Sequence, residues 1–408
     1  MKIILSTIFV FALLFARTQV SLPKTVDFDS TKRFEFGLNS SHDIQTTSIS
    51  LKFANTLLKG GELTDDFTSK TLAKQNDINR IGREFSNELY FADYQFTPFK
   101  QNKYGLFAEI GYQSLTSGIY SQDLFEMVFK GNQNFIGDSA HFSGTGFKHY
   151  DFQNIGLGLI DKKTKSFLTL NFINLQNYAA GITTKGSYFM SPDSTEVDLD
   201  LNAQSLNTYG ANFNKGMGIA LNLTLNFEVP WRNEKTAIFQ FKIKNFGAVK
   251  VNKLNSYSVD TNIALSGFKF EDFLLNNSTD LSSISWLDTL NVRTDTISEM
   301  IVLPAMIQFG KVLDKNFTGK TQSFFGIKLY PSMHYVPKLY LGFDYKATDD
   351  FHVGATAAYG GFGVFRAGVY ANYQTKKIDF GIGTEDVLGF ISKNAFGQMI
   401  HLKLICTL

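Results

Sequence analysis

The sequence predicts an all-β chain folded as a transmembrane antiparallel β-barrel, and three observations carry that expectation. Long stretches alternate apolar and polar residues with a period of two. In the clearest, Ile219, Leu221, Leu223, Leu225, Phe227 and Val229 face one way and Gly218, Ala220, Asn222, Thr224, Asn226 and Glu228 the other. Among 408 residues there are 41 Phe and 17 Tyr against two Trp, with 33 Gly and seven Pro. Such a mixture favours strands with many turns and supplies ring side chains for a membrane interface. Beyond Ala16 no apolar run approaches the roughly 18 residues of a membrane-spanning helix. A membrane-resident chain of this kind must cross with strands, closed into a barrel so that no edge is left in lipid.

The N-terminal Met1-Lys2 and the apolar run from Ile3 to Ala16 read as a secretory signal peptide over residues 1–21, cleaved between Ala16 and Ser21. Residues 22–408 then form one barrel domain destined for the bacterial outer membrane. Cys406 is the only cysteine, so the exported chain forgoes an internal disulfide. The net charge of +2, with no acidic or basic tract, argues against a nucleic-acid partner and against polybasic membrane-surface binding.

In chain order, Phe34 to Leu38 alternates briefly and residues 48–54 weakly. Residues 55–83 spread Leu57, Leu58, Leu63, Phe67, Leu72, Ile78 and Ile81 among Lys, Asp and Thr, which predicts one or two short helices. Near the start of a barrel this insertion is a candidate plug; the plainer reading is a helix packed on a loop. Alternation resumes over 84–94 and 104–114. At 123–129 Leu124, Met127 and Val128 share a helical face, and Gly131 is the stop. From Ser139 onward candidate strands lie near 139–147, 150–160, 166–174, 181–190, 195–206, 217–229, 237–246, 256–267, 299–313, 322–330, 335–346, 351–359, 363–373, 376–383 and 398–408. These are too many for the barrel, so some are loops or pieces of one strand. The polar stretch around Trp286 makes 268–298 a long loop. Counting seven strands back from Leu408 puts that loop on the extracellular side, where it is the candidate surface for another envelope protein.

The last stretch, Gly397 to Leu408, is the expected closing strand. Ile400, Leu402, Leu404 and Leu408 are assigned to outer-membrane lipid, with Cys406 a small apolar residue on the same face; His401, Lys403 and Thr407 take the other.

Catalytic chemistry is not evident. His42, His141, His149, His334, His352 and His401 are scattered singly, without a metal-ligand spacing. Gly319-Lys320-Thr321 lacks the first glycine of a phosphate loop, Asp314 standing in its place, and the Asp314 to Gly319 run lacks the closing Glu of a calcium loop. A lipid hydrolase would need a serine within reach of a histidine base. His149 beside Asp151, and His352 after Asp349 and Asp350, are the histidines with carboxylates nearby, and neither has a serine motif. The chain is therefore read as non-enzymatic, with no catalytic, cofactor or metal residues. Among Arg80, Arg83, Arg232, Arg293 and Arg366, only Arg366 lies mid-strand on a polar face, which makes it the candidate lumen residue.

The Asn55–Arg83 insertion, Asp123-Leu124-Phe125 with Gly131-Asn132, Phe135 and Gly137, Lys244-Asn-Phe-Gly247 with Tyr257-Ser-Val-Asp260, and Leu303-Pro304 together resemble an uncharacterised family of Bacteroidota outer-membrane proteins. That family is in turn distantly similar to the FadL fatty-acid transporters and to PorV, the accessory barrel of the type IX secretion system. The resemblance covers most of the mature chain and implies about fourteen strands and an N-terminal plug segment, but no catalytic residues and no ligand. Two functions follow as expectations. The first, a structural or accessory subunit of an envelope complex, is preferred because the insertions are large enough to occlude the lumen and no ligand-like constellation appears. The alternative is a FadL-like passive conduit for a hydrophobic or small nutrient.

Overall fold

The computed structural model describes residues 25–26, 28, 33–208, 210, 213–231, 234–266 and 292–408. The expected signal peptide, Arg232 and residues 267–291 of the long loop, with Trp286, lie outside them. The described residues form a closed antiparallel barrel of fourteen strands. In order these are β1 (Phe34–Thr46), β2 (Ile78–Asp93), β3 (Tyr104–Ser121), β4 (Ser139–His141 and Gly146–Asp161) and β5 (Phe167–Met190). There follow β6 (Glu196–Asn207 and Gly216–Trp231), β7 (Glu234–Ser266), β8 (Arg293–Val302 and Met306–Asp314), β9 (Thr321–Leu329) and β10 (Val336–Lys346). The last are β11 (Phe351–Gly361), β12 (Arg366–Gln374), β13 (Ile378–Thr384) and β14 (Gly397–Thr407). Closure is made by β14 against β1, from Gly397 opposite Gln45 to Thr407 opposite Glu35.

Several expected strands are halves of one. The stretches 166–174 and 181–190 join into β5, because Leu175 lies opposite Phe152 while Asn177 lies opposite Asp151. The extra residue, Gln176, is a bulge, and it shifts the alternation by one. Likewise 237–246 and 256–267 are a single β7, with register shifts between Ile243 and Phe246 and between Val251 and Leu254. The expected pair 195–206 and 217–229 are successive parts of β6, both paired to β5. β8 begins at Arg293, so 293–298 is strand and the loop assigned to 268–298 ends earlier. Residues 48–54, expected as a weak strand, instead hold a cap and a helix start, and β2 reaches back to Ile78.

The helices form where the caps allow. Ser50 accepts from Phe53 N to start α1 (Leu51–Leu58), Thr64 accepts from Phe67 N to start α2 (Asp65–Leu72), and Ser121 accepts from Leu124 N to start α3 (Gln122–Lys130). Gly131, at φ +81°, ends α3 in a conformation open to glycine. Phe53 is buried against Phe67, Phe125 and Phe129, which ties the three helices together. A one-turn α4 (Leu388–Ile391) lies between β13 and β14.

These helices, the end of β7 at Ser266 and the start of β8 at Arg293 all lie at the end opposite the termini. The termini end carries short links, such as 347–350 and 375–377. Short turns mark the periplasmic end of such barrels. The two faces are distinct: Ile219 is 62% exposed and Phe365 66%, while their polar neighbours Asn222 and Arg366 are 2% and 3% exposed. The apolar face is exposed and the polar face looks into the lumen.

Candidate functional site

The lumen is crossed by polar struts. Glu84 on β2 accepts from Lys328 Nζ on β9 at 2.7 and 2.8 Å, and from the Tyr330 hydroxyl at 2.7 Å. β2 and β9 stand seven strands apart in a ring of fourteen, so this contact spans the barrel. Lys244 on β7 pairs with Glu88 on β2. Asn245 exchanges hydrogen bonds with Gln113 on β3, at 2.8 and 3.3 Å. Asn245 sits at the β7 bulge with φ +58°, and the bulge is what turns its amide inward. Glu109 on β3 accepts from Asn171 at 2.9 Å on β5 and from Asn222 at 2.7 Å on β6, reaching past β4. Gly156 on β4 leaves the room: a Cβ there would lie 2.3 Å from the Asn171 side-chain oxygen.

Arg366 is buried on β12, with its guanidinium 3.7 Å from Asp43 on β1 and 3.5 Å from Glu385. Lys338 on β10 reaches Glu385 at 2.9 Å. Glu385 lies just past β13, where burial acts to raise its carboxyl but the Lys338 and Arg366 charges outweigh it and hold it below the usual range. A buried charge is tolerated only when paired in this way.

Toward the end opposite the termini an apolar layer fills the lumen. Phe152, Ile173, Leu175, Val249, Leu254 and Leu303 pack with Tyr330 and Met333. The last two belong to the β9–β10 connection, residues 330–335, which folds inward. It is held by Lys148 Nζ donating to Ser332 O at 2.6 Å, by His334 N donating to Ser117 Oγ at 3.4 Å, and by Tyr335 against Phe362. Burial, with Lys148 nearby, pushes the His334 imidazole below its ordinary 6.5. Phe362 in turn rests on Gly82, where a Cβ would fall 2.0 Å from the ring. The lumenal plug is thus the short 330–335 connection. The 55–83 insertion contributes α1 and α2, tied to α3 and to the rim, where Leu51 N donates to Ala395 O at 2.8 Å.

Below the struts lies a cavity of about 270 Å³. Its lining runs from Thr25, Thr375 and Thr407 at the termini end up to Glu84, Lys338 and Glu385. Thr25 and Val26 pair in parallel with Leu313 and Asp314 of β8, and Val26 packs on Ile238 and Val312. This brings a piece of the N-terminal segment to the cavity wall.

The other residues singled out from sequence fall as follows. Ile400 pairs with His42, Leu402 with Ser40 and Ile382, and Leu404 with Leu38 and the outward-exposed Phe380; Leu408 follows the strand and is 78% exposed. His401 and Lys403 line the cavity, with Lys403 2.9 Å from Asp379. His149 stands opposite Thr116: its Nδ1 is 2.8 Å from Thr116 Oγ1 and its Nε2 3.0 Å from Asp151. His352 meets Asp344 at 2.8 Å rather than its sequence neighbours Asp349 and Asp350. Arg83 donates to His42 at 3.2 Å. Arg80 O accepts from Thr47 N, and Arg293 opens β8. Among the described residues no group of three or more His, Cys, Asp or Glu could hold a metal.

No protein-family model matches the chain, and no curated protein sequence does. Among solved structures it is similar to FadL-family hydrocarbon channels and to autotransporter barrels. The toluene transporter TodX of P. putida is 10% identical, with 95% of this chain and 91% of that one covered at a TM-score of 0.36. The translocator domain of the autotransporter NalP from Neisseria meningitidis is 8% identical over 93% and 90%, at 0.30. The Ralstonia pickettii toluene transporter TbuX is 9% identical over 92% and 89%, at 0.25. At such scores the matches decide neither cargo nor mechanism. The closed pairing of fourteen strands, with apolar side chains exposed on the outer face, is that of an outer-membrane β-barrel.

Proposed function

We propose that the protein is a non-enzymatic, gated conduit of the bacterial outer membrane, exported by its N-terminal signal peptide and carrying a small water-soluble solute between the outside and the periplasmic end of its lumen. The observation that carries this reading is the cavity: about 270 Å³ of lumen lined by charged, amide and aromatic side chains, extending from Thr25, Thr375 and Thr407 up to Tyr330 of the 330–335 connection. A barrel whose lumen served only stability would gain more by filling that volume with packed side chains. The gate is the in-folded connection, because it is a six-residue loop between two strands and not part of the hydrogen-bonded wall. The lining sets these polar groups beside Phe107, Ile160, Phe167, Met306 and Phe324, so a small solute with a polar group and an apolar part fits it as well as the hydrophobic cargo expected from the sequence. Ile400, Leu402 and Leu404 are assigned to lipid contact, and Arg366 to holding β1, β12 and the β13 end together across the lumen.

The test is solute flux in proteoliposomes. Shortening the plug by deleting Ser332 to His334 is expected to raise permeation of small sugars and organic ions several-fold over the intact barrel. Unchanged, near-zero flux in both, with normal heat-modifiable migration, would count against a conduit. A second reading, the accessory subunit, is favoured by one observation: among the described residues Arg293–Val302 pairs only with β7, leaving ten residues of strand edge beside the loop expected to dock a partner. Stoichiometric recovery of an envelope protein in mild detergent, lost when Thr296 is replaced by Pro, would favour it. The membership in a Bacteroidota family and the likeness to PorV belong to this reading.

A further inference from the structure

We infer that the lumenal cavity is an anion site, and that the solute it takes is a small organic or inorganic anion carrying carboxylate or phosphate groups. The inference rests on the conduit reading and adds the class of its cargo. The cavity wall carries eight lysines against five carboxylates, an excess of three positive charges around about 270 Å³. The whole chain is only +2, so the excess belongs to this cavity wall and does not reflect a generally basic protein. A concave, low-dielectric wall with an excess of one sign biases the local field and raises the local concentration of counter-ions.

The lysines are also spread along the route. Lys315 and Lys165 stand near the termini end, where Lys315 Nζ donates to Thr375 O at 3.4 Å and Lys165 Nζ lies over the Tyr94 ring. Lys242 and Lys403 follow from opposite walls, and Lys328 and Lys338 stand at the struts. An anion entering from the periplasmic end therefore meets Lys315, Lys165 and Lys242, and beyond them lysines that already face carboxylates, Lys403 with Asp379, Lys328 with Glu84 and Lys338 with Glu385. The wall between them offers amide and hydroxyl donors, including Asn226, Gln240 and Gln308. The volume is below the roughly 300–1,000 Å³ of pockets for drug-sized ligands, which limits the cargo to a small solute.

The experiment uses the full-length barrel, with two readouts. In planar bilayers under a KCl gradient the reversal potential gives selectivity, and in detergent a calorimetric titration with citrate gives binding. The variant is Lys242→Gln with Lys315→Gln, checked for folding by heat-modifiable migration. Conductance with chloride preferred over potassium, falling at least threefold toward neutrality in the double variant, supports the anion site. Conductance that prefers potassium overturns it and leaves the conduit standing. Absence of conductance with saturable citrate binding that the double variant weakens at least tenfold keeps the site and removes the conduit. Absence of both conductance and saturable citrate binding overturns the inference.

Discussion

Replacing Glu84 by Gln tests whether the struts hold the lumen together. Glu84 and Lys328 are both buried, and the carboxylate accepts from Lys328 at 2.7 and 2.8 Å and from Tyr330 at 2.7 Å. Removing one partner of a buried pair costs about 3–5 kcal/mol, because the other charge is left uncompensated. Lys328 also lines the cavity and can turn toward it, which places the loss near the low end, about 3 kcal/mol. The tyrosine bond is a separate share: Tyr330→Phe alone loses a hydrogen bond to a charged acceptor, about 1.5–3 kcal/mol. The double variant Glu84→Gln with Lys328→Met removes both charges and strands neither, so it should cost less than the sum of its singles by about 2 kcal/mol. Urea unfolding of the refolded barrel in lipid vesicles, followed by heat-modifiable migration, measures the parent, the three single variants Glu84→Gln, Lys328→Met and Tyr330→Phe, and the double variant. If Glu84→Gln lies within about 0.5 kcal/mol of the parent, or the double variant equals the sum of the singles, the strut argument fails.

Further outcomes follow from the wall and the plug. Leu402→Lys on β14 is expected to cost about 2–4 kcal/mol of membrane assembly if that residue sits near the bilayer midplane, and unimpaired assembly would remove it from the lipid face. Gly82→Val must displace the Phe362 ring, 2.0 Å from the added Cβ, and should lower barrel stability by about 1–3 kcal/mol; a parent-like melting curve would show that Phe362 has other room. His334 is held neutral in the seated plug below its ordinary 6.5, by burial first and then by Lys148, with Arg80 contributing. The released loop takes up a proton as pH falls through 6.5 and the seated one does so only lower, so seating weakens on acidification. Conductance should rise from pH 7.5 to 5 in the parent and stay flat in His334→Gln; the same rise in both would assign the effect elsewhere. Finally, a fluorophosphonate probe should leave Thr116 unlabelled despite His149 and Asp151 beside it, and labelling lost in His149→Gln would overturn the non-enzymatic reading.

The parts of the fold that were legible in the sequence are those where one residue in two meets a single environment. β6 from Ile219 to Phe227 and β12 from Arg366 to Tyr373 place apolar side chains outward and polar ones inward with no slip, and so period two survives. β5 and β7 looked like four strands because bulges at Gln176 and around Asn245 shift the phase midway, and a pattern counter reads a phase shift as a break. The site divides along the same line. Arg366 could be found, since it is a lone charge on the polar face of a clean strand. Glu84 could not: Arg83 beside it is also charged and points to the opposite face, so parity is silent there, and its partner Lys328 is 244 residues away. The plug carries a signal that turn chemistry alone would not explain. Tyr330, Met333 and Tyr335 put three bulky apolar groups into a six-residue connection, where a solvated turn would favour Gly, Asn, Asp and Ser. Apolar residues in a short link need somewhere to bury. In a closed barrel whose outer band is committed to lipid, the space open to a link at the rim is the lumen, and that is where Tyr330 and Met333 go.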